Sequence, residues 1–96
     1  MVAYIVAEAP EIIDDAAYQR YRPLGAAAVA QHQGVYLVRG GTAHPYEGDW
    51  RPSKVSILQF PSIELATAWY NSPEYTAARE VRRGAVKMRL VGIDAG

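Results

Sequence analysis

The chain has 96 residues, about one small domain, and its ten basic residues balance ten acidic ones. Zero net charge argues against a nucleic-acid or other polyanion partner, and the lack of Cys removes disulfides, thiolate nucleophiles and Cys-ligated zinc. Of the apolar half, 16 residues are Ala and only 21 are Val, Ile, Leu or Phe, a thin supply for a domain that must bury roughly 60–65% of its unfolded surface, so a partner subunit is expected.

The first seven residues are apolar but lack a basic start, and Glu8 ends the run. That is too short for a signal peptide or a spanning helix, and the chain reads as soluble, intracellular and cytoplasmic, with no membrane partner. Val2 to Glu8 is β-branched and aromatic and predicts a strand ended by Ala9-Pro10. Asp14 and Asp15 are N-cap candidates for a helix reaching His32, with Ala17, Tyr21, Leu24, Ala28 and Val29 on one stripe. Pro23 predicts a kink or a restart there, and Gln33-Gly34 a C-cap. Val35 to Arg39 is a second strand, with Val35, Leu37 and Arg39 on one face and Tyr36 and Val38 on the other.

Gly40-Gly41 opens a loop or hairpin to Pro52 that carries His44, Tyr46, Glu47, Asp49 and Trp50. Lys54 to Phe60 is the third strand, with Val55 and Ile57 opposite Ser56, Leu58 and Phe60. Ser62 caps a helix whose stripe is Leu65, Ala68 and Trp69, and Ser72-Pro73-Glu74 starts another through Tyr75, Ala78, Val81 and Arg82 to Gly84. Ala85 to Ile93 is the last strand. This order is βαββαβ with the second helix split: an α+β, ferredoxin-like single domain over residues 1–96, an antiparallel sheet with its helices on one face. Either phase of alternation leaves apolar side chains on the bare face, Tyr4 and Val6 or Ala3 and Ile5. Such a face is a partner site, and a second copy packed sheet to sheet would cover it.

Arg39-Gly40-Gly41, Glu47-Gly48-Asp49-Trp50, Pro52, Phe60-Pro61-Ser62, Ala68-Trp69-Tyr70-Asn71-Ser72-Pro73-Glu74-Tyr75 and Arg82 together resemble the domain-of-unknown-function 1330 family. The resemblance spans nearly the whole chain and implies a dimeric α/β barrel of two ferredoxin-like subunits. It implies no reaction, since the wider superfamily runs from small oxygenases and isomerases to haem-handling proteins.

Candidate ligand-binding residues are Arg39, Trp69, Tyr70, Tyr75 and Arg82. A guanidinium at an apolar strand end can receive a carboxylate or enolate bidentately, although an ion pair with Glu8, Glu47 or Asp49 would also explain Arg39. Trp69 is in phase with Leu65 and suits core packing, while Tyr70 and Tyr75 carry phenols that need partners. His44 is the candidate general base on titration grounds. His44-x-x-Glu47-x-Asp49 has a single His, so no metal and no cofactor is expected. Trp50 suits a seat on a partner subunit or over a pocket mouth. No nucleophile elbow, phosphate loop, dinucleotide fingerprint or zinc motif is present. Two readings follow: a homodimer that binds a small aromatic or carboxylated molecule and transforms it, if at all, without a cofactor; or a non-enzymatic dimerisation or regulatory module.

Overall fold

A computed structural model describes residues 1–96. Its elements are β1 (Ala3–Ile12), α1 (Asp15–Gln31), β2 (Val35–Thr42), β3 (Lys54–Phe60), α2 (Ile63–Tyr70), α3 (Pro73–Val81) and β4 (Val86–Asp94). The strands form one antiparallel sheet in the order β2-β3-β1-β4. With β3 inserted between β1 and β2, this is the ferredoxin-like arrangement expected from the element order. No helix is long and apolar enough to cross a membrane.

Each helix begins where a short polar side chain can replace a missing backbone acceptor. Asp14 accepts from Ala17 N at 3.2 Å, Ser62 from Leu65 N at 3.1 Å and Ser72 from Tyr75 N at 3.1 Å. Ser72 is buried and also donates to Trp69 O at 2.7 Å, which welds the end of α2 to the start of α3.

Several boundaries and faces differ from the sequence expectation. β1 continues through Ala9-Pro10 to Ile12, with its pairing to β4 shifted between Glu8 and Glu11, where proline's missing N–H is tolerated. α1 is one continuous helix with Pro23 inside it, so the chain does not restart there. Leu24 is exposed, and the buried place after Tyr21 belongs to Gly25, whose Cβ would stand 3.1 Å from the Tyr21 ring. In α2 the buried small residue is Ala66, and Ala68 is exposed. At the end of α1 the left-handed residue is Gln33, φ 64°, not Gly34. Gly34 is needed for close approach instead, since a Cβ there would lie 2.6 Å from the Phe60 ring and 2.8 Å from Val29.

β2 runs on to Thr42, with register shifts between Tyr36 and Val38 and between Val38 and Gly41. A one-residue slip exchanges faces. Val38 therefore pairs with Ile57, on the side of Val6, while Arg39 comes round to Tyr36, its guanidinium carbon 4.9 Å from the ring centroid. The alternation expected for β2 had separated those two residues.

The core lies between the sheet and the helices. Ile5, Leu58 and Phe60 pack there against Ala28, Val29, Ala66, Trp69, Tyr75 and Ala78. The opposite face carries Tyr4, Val6, Ile57, Val38, Val91 and Ile93 in register, with no helix over them. Glu8 lies in this register too, yet it is buried, and its carboxylate accepts from Ser53 N at 3.3 Å.

Candidate functional site

α1 leans on α3 and stands off the sheet, which leaves a cavity of about 290 Å³ between them. Its floor is Ala7, Ala9, Ser56 and Leu58 from the two central strands. The small Ala side chains that thin the core are what leave this space open. α1 contributes Tyr18 and Tyr21, β2 contributes Tyr36 and Arg39, and Trp69 and Tyr75 close the inner wall. The charged residues of the lining are Arg22, Arg39 and Lys54, all cationic, with no Asp or Glu among them.

The inner wall is a packed aromatic cluster. Trp69 stacks at a tilt on Tyr75, centroids 4.3 Å apart, and on Phe60 at 5.3 Å. Tyr21 meets Tyr75 edge to face, and their phenol oxygens are 2.6 Å apart. One proton serves that bond, so the pair keeps a second O–H to donate. Burial pushes the Tyr21 phenol far above its ordinary value, Tyr75 adds to the rise and the Arg82 charge opposes it. Burial also raises the Tyr36 phenol, against the lowering effect of Arg39. These groups are hydrogen-bond donors at neutral pH, not bases.

Arg39 forms none of the ion pairs weighed for it. It donates to Arg22 O at 3.3 Å and lies over Tyr36, with its head exposed at the cavity mouth. Of the other sequence candidates, Trp69 and Tyr75 line this cavity, whereas Tyr70 and Arg82 do not. Those two line a second space of about 370 Å³ between α2 and β4, of which Trp69 is also a wall. His44 is exposed in the 43–53 segment and lines neither cavity. Tyr46 and Trp50 of that segment are also exposed, at 98% and 60%. No three His, Asp or Glu side chains gather as a metal site.

Sequence reasoning missed Tyr18, Tyr21, Tyr36, Arg22 and Lys54 as site residues. One compositional signal was available: the chain has seven Tyr and one Phe, so its aromatic interior must hide phenols. Buried phenols need partners, and a cavity is one place to find them.

A family model described as "Domain of unknown function (DUF1330)" matches residues 2–95. No curated protein matches the sequence. Among solved structures, a protein of unknown function from Rhodopseudomonas palustris, RPA0582, superposes with a TM-score of 0.74 at 19% identity, covering 99% of this chain and 82% of that one. A dimeric ferredoxin-like protein of unknown function from Jannaschia sp. gives 0.65 at 11% identity, over 99% and 100%. SnoaB, a cofactor-independent oxygenase from Streptomyces nogalater, gives 0.60 at 14% identity, over 99% and 92%. At these identities the likeness is one of fold.

Proposed function

The chain belongs to the DUF1330 family of unknown function, and from that premise we propose that it is a cytoplasmic homodimer whose cavity between α1 and the sheet binds a small aromatic carboxylate. One observation carries the reading: an aromatic cavity whose only charged lining residues are Arg22, Arg39 and Lys54. A ring fits among Tyr18, Tyr36, Trp69 and Tyr75, and a carboxylate meets cations at the mouth, most favourably the guanidinium fork of Arg39. Without a cofactor, the chemistry open to this set is anion stabilisation. A guanidinium and protonated phenols, held in place before the ligand arrives, would stabilise a negatively charged ligand oxygen over a neutral one. His44 has no part in the cavity of a single chain, so this reading assigns it no proton transfer there.

The dimer is supported by the bare apolar face of the sheet and by the description of the Jannaschia neighbour as dimeric. Two sheets face to face would give the dimeric α/β barrel that the family resemblance implies. The second reading, a non-enzymatic dimerisation or regulatory module, draws on the absence of any Ser, Cys or His nucleophile and base pair among the lining residues.

The test is calorimetric titration with benzoate, using benzyl alcohol as the uncharged control. Benzoate should bind and benzyl alcohol should bind at least tenfold more weakly. Arg39→Ala should lower benzoate affinity by about 10- to 100-fold, a loss of about 1.4–2.7 kcal/mol, while the unliganded Tm stays within about 2 °C because Arg39 is exposed and pairs with no carboxylate. Equal binding of the alcohol, or an unchanged affinity in the variant, would remove the carboxylate from the proposal. Benzoate binding without turnover of any carboxylate offered would favour the module. Sedimentation as a folded monomer at micromolar concentration would overturn the dimer.

A further inference from the structure

The cavity under α1 collects positive charge that the chain leaves uncompensated. Arg22 comes from α1, Arg39 from β2 and Lys54 from β3; all three are exposed, and none belongs to an ion pair. Elsewhere the chain does pair its cations: Arg83 with Glu80 at 3.3 Å, Lys87 with Glu11 at 3.4 Å and His32 with Glu74 at 3.2 Å. Two hydrogen bonds bring the three residues to one rim. Arg39 Nη2 donates to Arg22 O at 3.3 Å, and the next residue, Gly40, donates from its backbone N to Ser56 Oγ at 2.9 Å. Lys54 lies two residues before Ser56 and so on the same face of β3, the face that floors the cavity. Burial raises the Tyr36 phenol, and Arg39 and then Arg22 oppose that rise, so both guanidinium charges act at this wall.

One carboxylate occupies the fork of one guanidinium and leaves the other two cations without a counter-charge. Like charges gathered at one rim, on a chain of zero net charge, raise the local potential. The ligand that gains most from it carries two negative charges at one end. We propose that the cavity selects an aromatic dicarboxylate whose two carboxylates are neighbours on the ring, one received by Arg39 and the other by Lys54 and Arg22. This assignment rests on the carboxylate binding proposed for the same cavity and narrows the ligand from one anionic group to two. The placement of the second carboxylate matters as much as its charge. At the far end of the ring it would have to sit among Tyr21, Trp69 and Tyr75, where the lining offers no cation and a buried unpaired charge is costly. The neighbouring arrangement keeps both carboxylates at the mouth and directs the hydrocarbon edge of the ring inward.

Calorimetric titration in neutral buffer with benzoate, phthalate and terephthalate separates charge from placement, because the last two carry the same double charge. Phthalate should bind at least about tenfold tighter than benzoate, a gain of about 1.4 kcal/mol, and terephthalate no tighter than benzoate. Lys54→Met and Arg22→Met should each reduce the advantage of phthalate over benzoate, and the double variant should bring it within about threefold, about 0.7 kcal/mol. Arg39→Ala should weaken both ligands. If a variant fails to fold, the wild-type series of three ligands still decides. Phthalate no tighter than benzoate, terephthalate as tight as phthalate, or an advantage unchanged in the double variant overturns the proposal. None of those outcomes touches benzoate binding by the wild type or its dependence on Arg39, whose failure would instead remove the single-carboxylate reading.

Discussion

The two faces of the sheet make an instructive pair. On the helix side Ala3, Ile5, Leu58 and Phe60 of the central strands are at most 7% exposed, while on the other face Val35, Val91 and Ile93 of the edge strands are 53%, 57% and 48% exposed. The open face does carry Gln59, Glu8 and Arg89, but its middle, Val6 with Ile57 and Val91, is as aliphatic as the covered side, which a fully solvated face would not be. What differs is the cover: α1, α2 and α3 occupy one side, and a single chain has nothing left for the other. The same comparison explains the cavities. Small residues, Ala7 and Ala9 on β1 and Ala66 on α2, leave two ligand-sized spaces under the helix layer, a composition that costs packing and that burial of the second face against another copy would offset.

The sharpest way to test this asymmetry is to damage each face in turn. Phe60 is fully buried against Trp69 and Gly34, so Phe60→Ala should destabilise the fold by about 3–5 kcal/mol, read from urea unfolding at fixed protein concentration. Val38→Lys with Ile93→Lys places two charges on the open face, one on each edge strand. In an isolated chain these exposed positions should cost no more than about 0.5 kcal/mol each. In a sheet-to-sheet dimer the charges would be buried unpaired, and dissociation should rise at least a hundredfold, about 2.7 kcal/mol, in sedimentation equilibrium. Unchanged self-association in the double variant would show that the open face is not the interface.

The order of elements was legible because each rests on local chemistry: Ser62, Ser72 and Asp14 at helix starts, Gly84 after the last helix, and β-branched runs for strands. The faces of β2 were not, because a register shift between Tyr36 and Val38 is decided by pairing with β3 and leaves no mark in the spacing of apolar residues. That one slip moved Arg39 onto the wall beside Tyr36 and so determined half of the cavity mouth. Arg39, Trp69 and Tyr75 were recognisable from residue type and helical phase. The division of the candidates between two cavities was not, because it depends on how far α1 stands from the sheet. Helical phase cannot express that distance.

The smallest effect concerns the phenol pair that joins α1 to α3 behind the first cavity. Tyr21→Phe removes one partner of a buried 2.6 Å hydrogen bond and leaves the Tyr75 hydroxyl without it, which should cost about 0.5–1.5 kcal/mol at neutral pH. Its signature is alkaline. The unfolded phenol ionises near its ordinary value of 10.0, whereas burial first and Tyr75 next raise the folded one. Above pH 10 the unfolded chain therefore binds fewer protons than the folded chain, and stability must fall as pH rises. Below pH 10 both states keep the proton and the contribution is complete. The wild type should lose up to about 1.4 kcal/mol per pH unit from this residue above that point, and Tyr21→Phe should flatten the decline by the same amount. The ultraviolet titration of the seven tyrosines should show a fraction that resists ionisation until the protein unfolds. Equal alkaline slopes for wild type and variant would mean that α1 opens readily enough to wet the pair. The difference between the two faces of the sheet would then be one of average exposure, with the helix layer too mobile to keep its cavity shut.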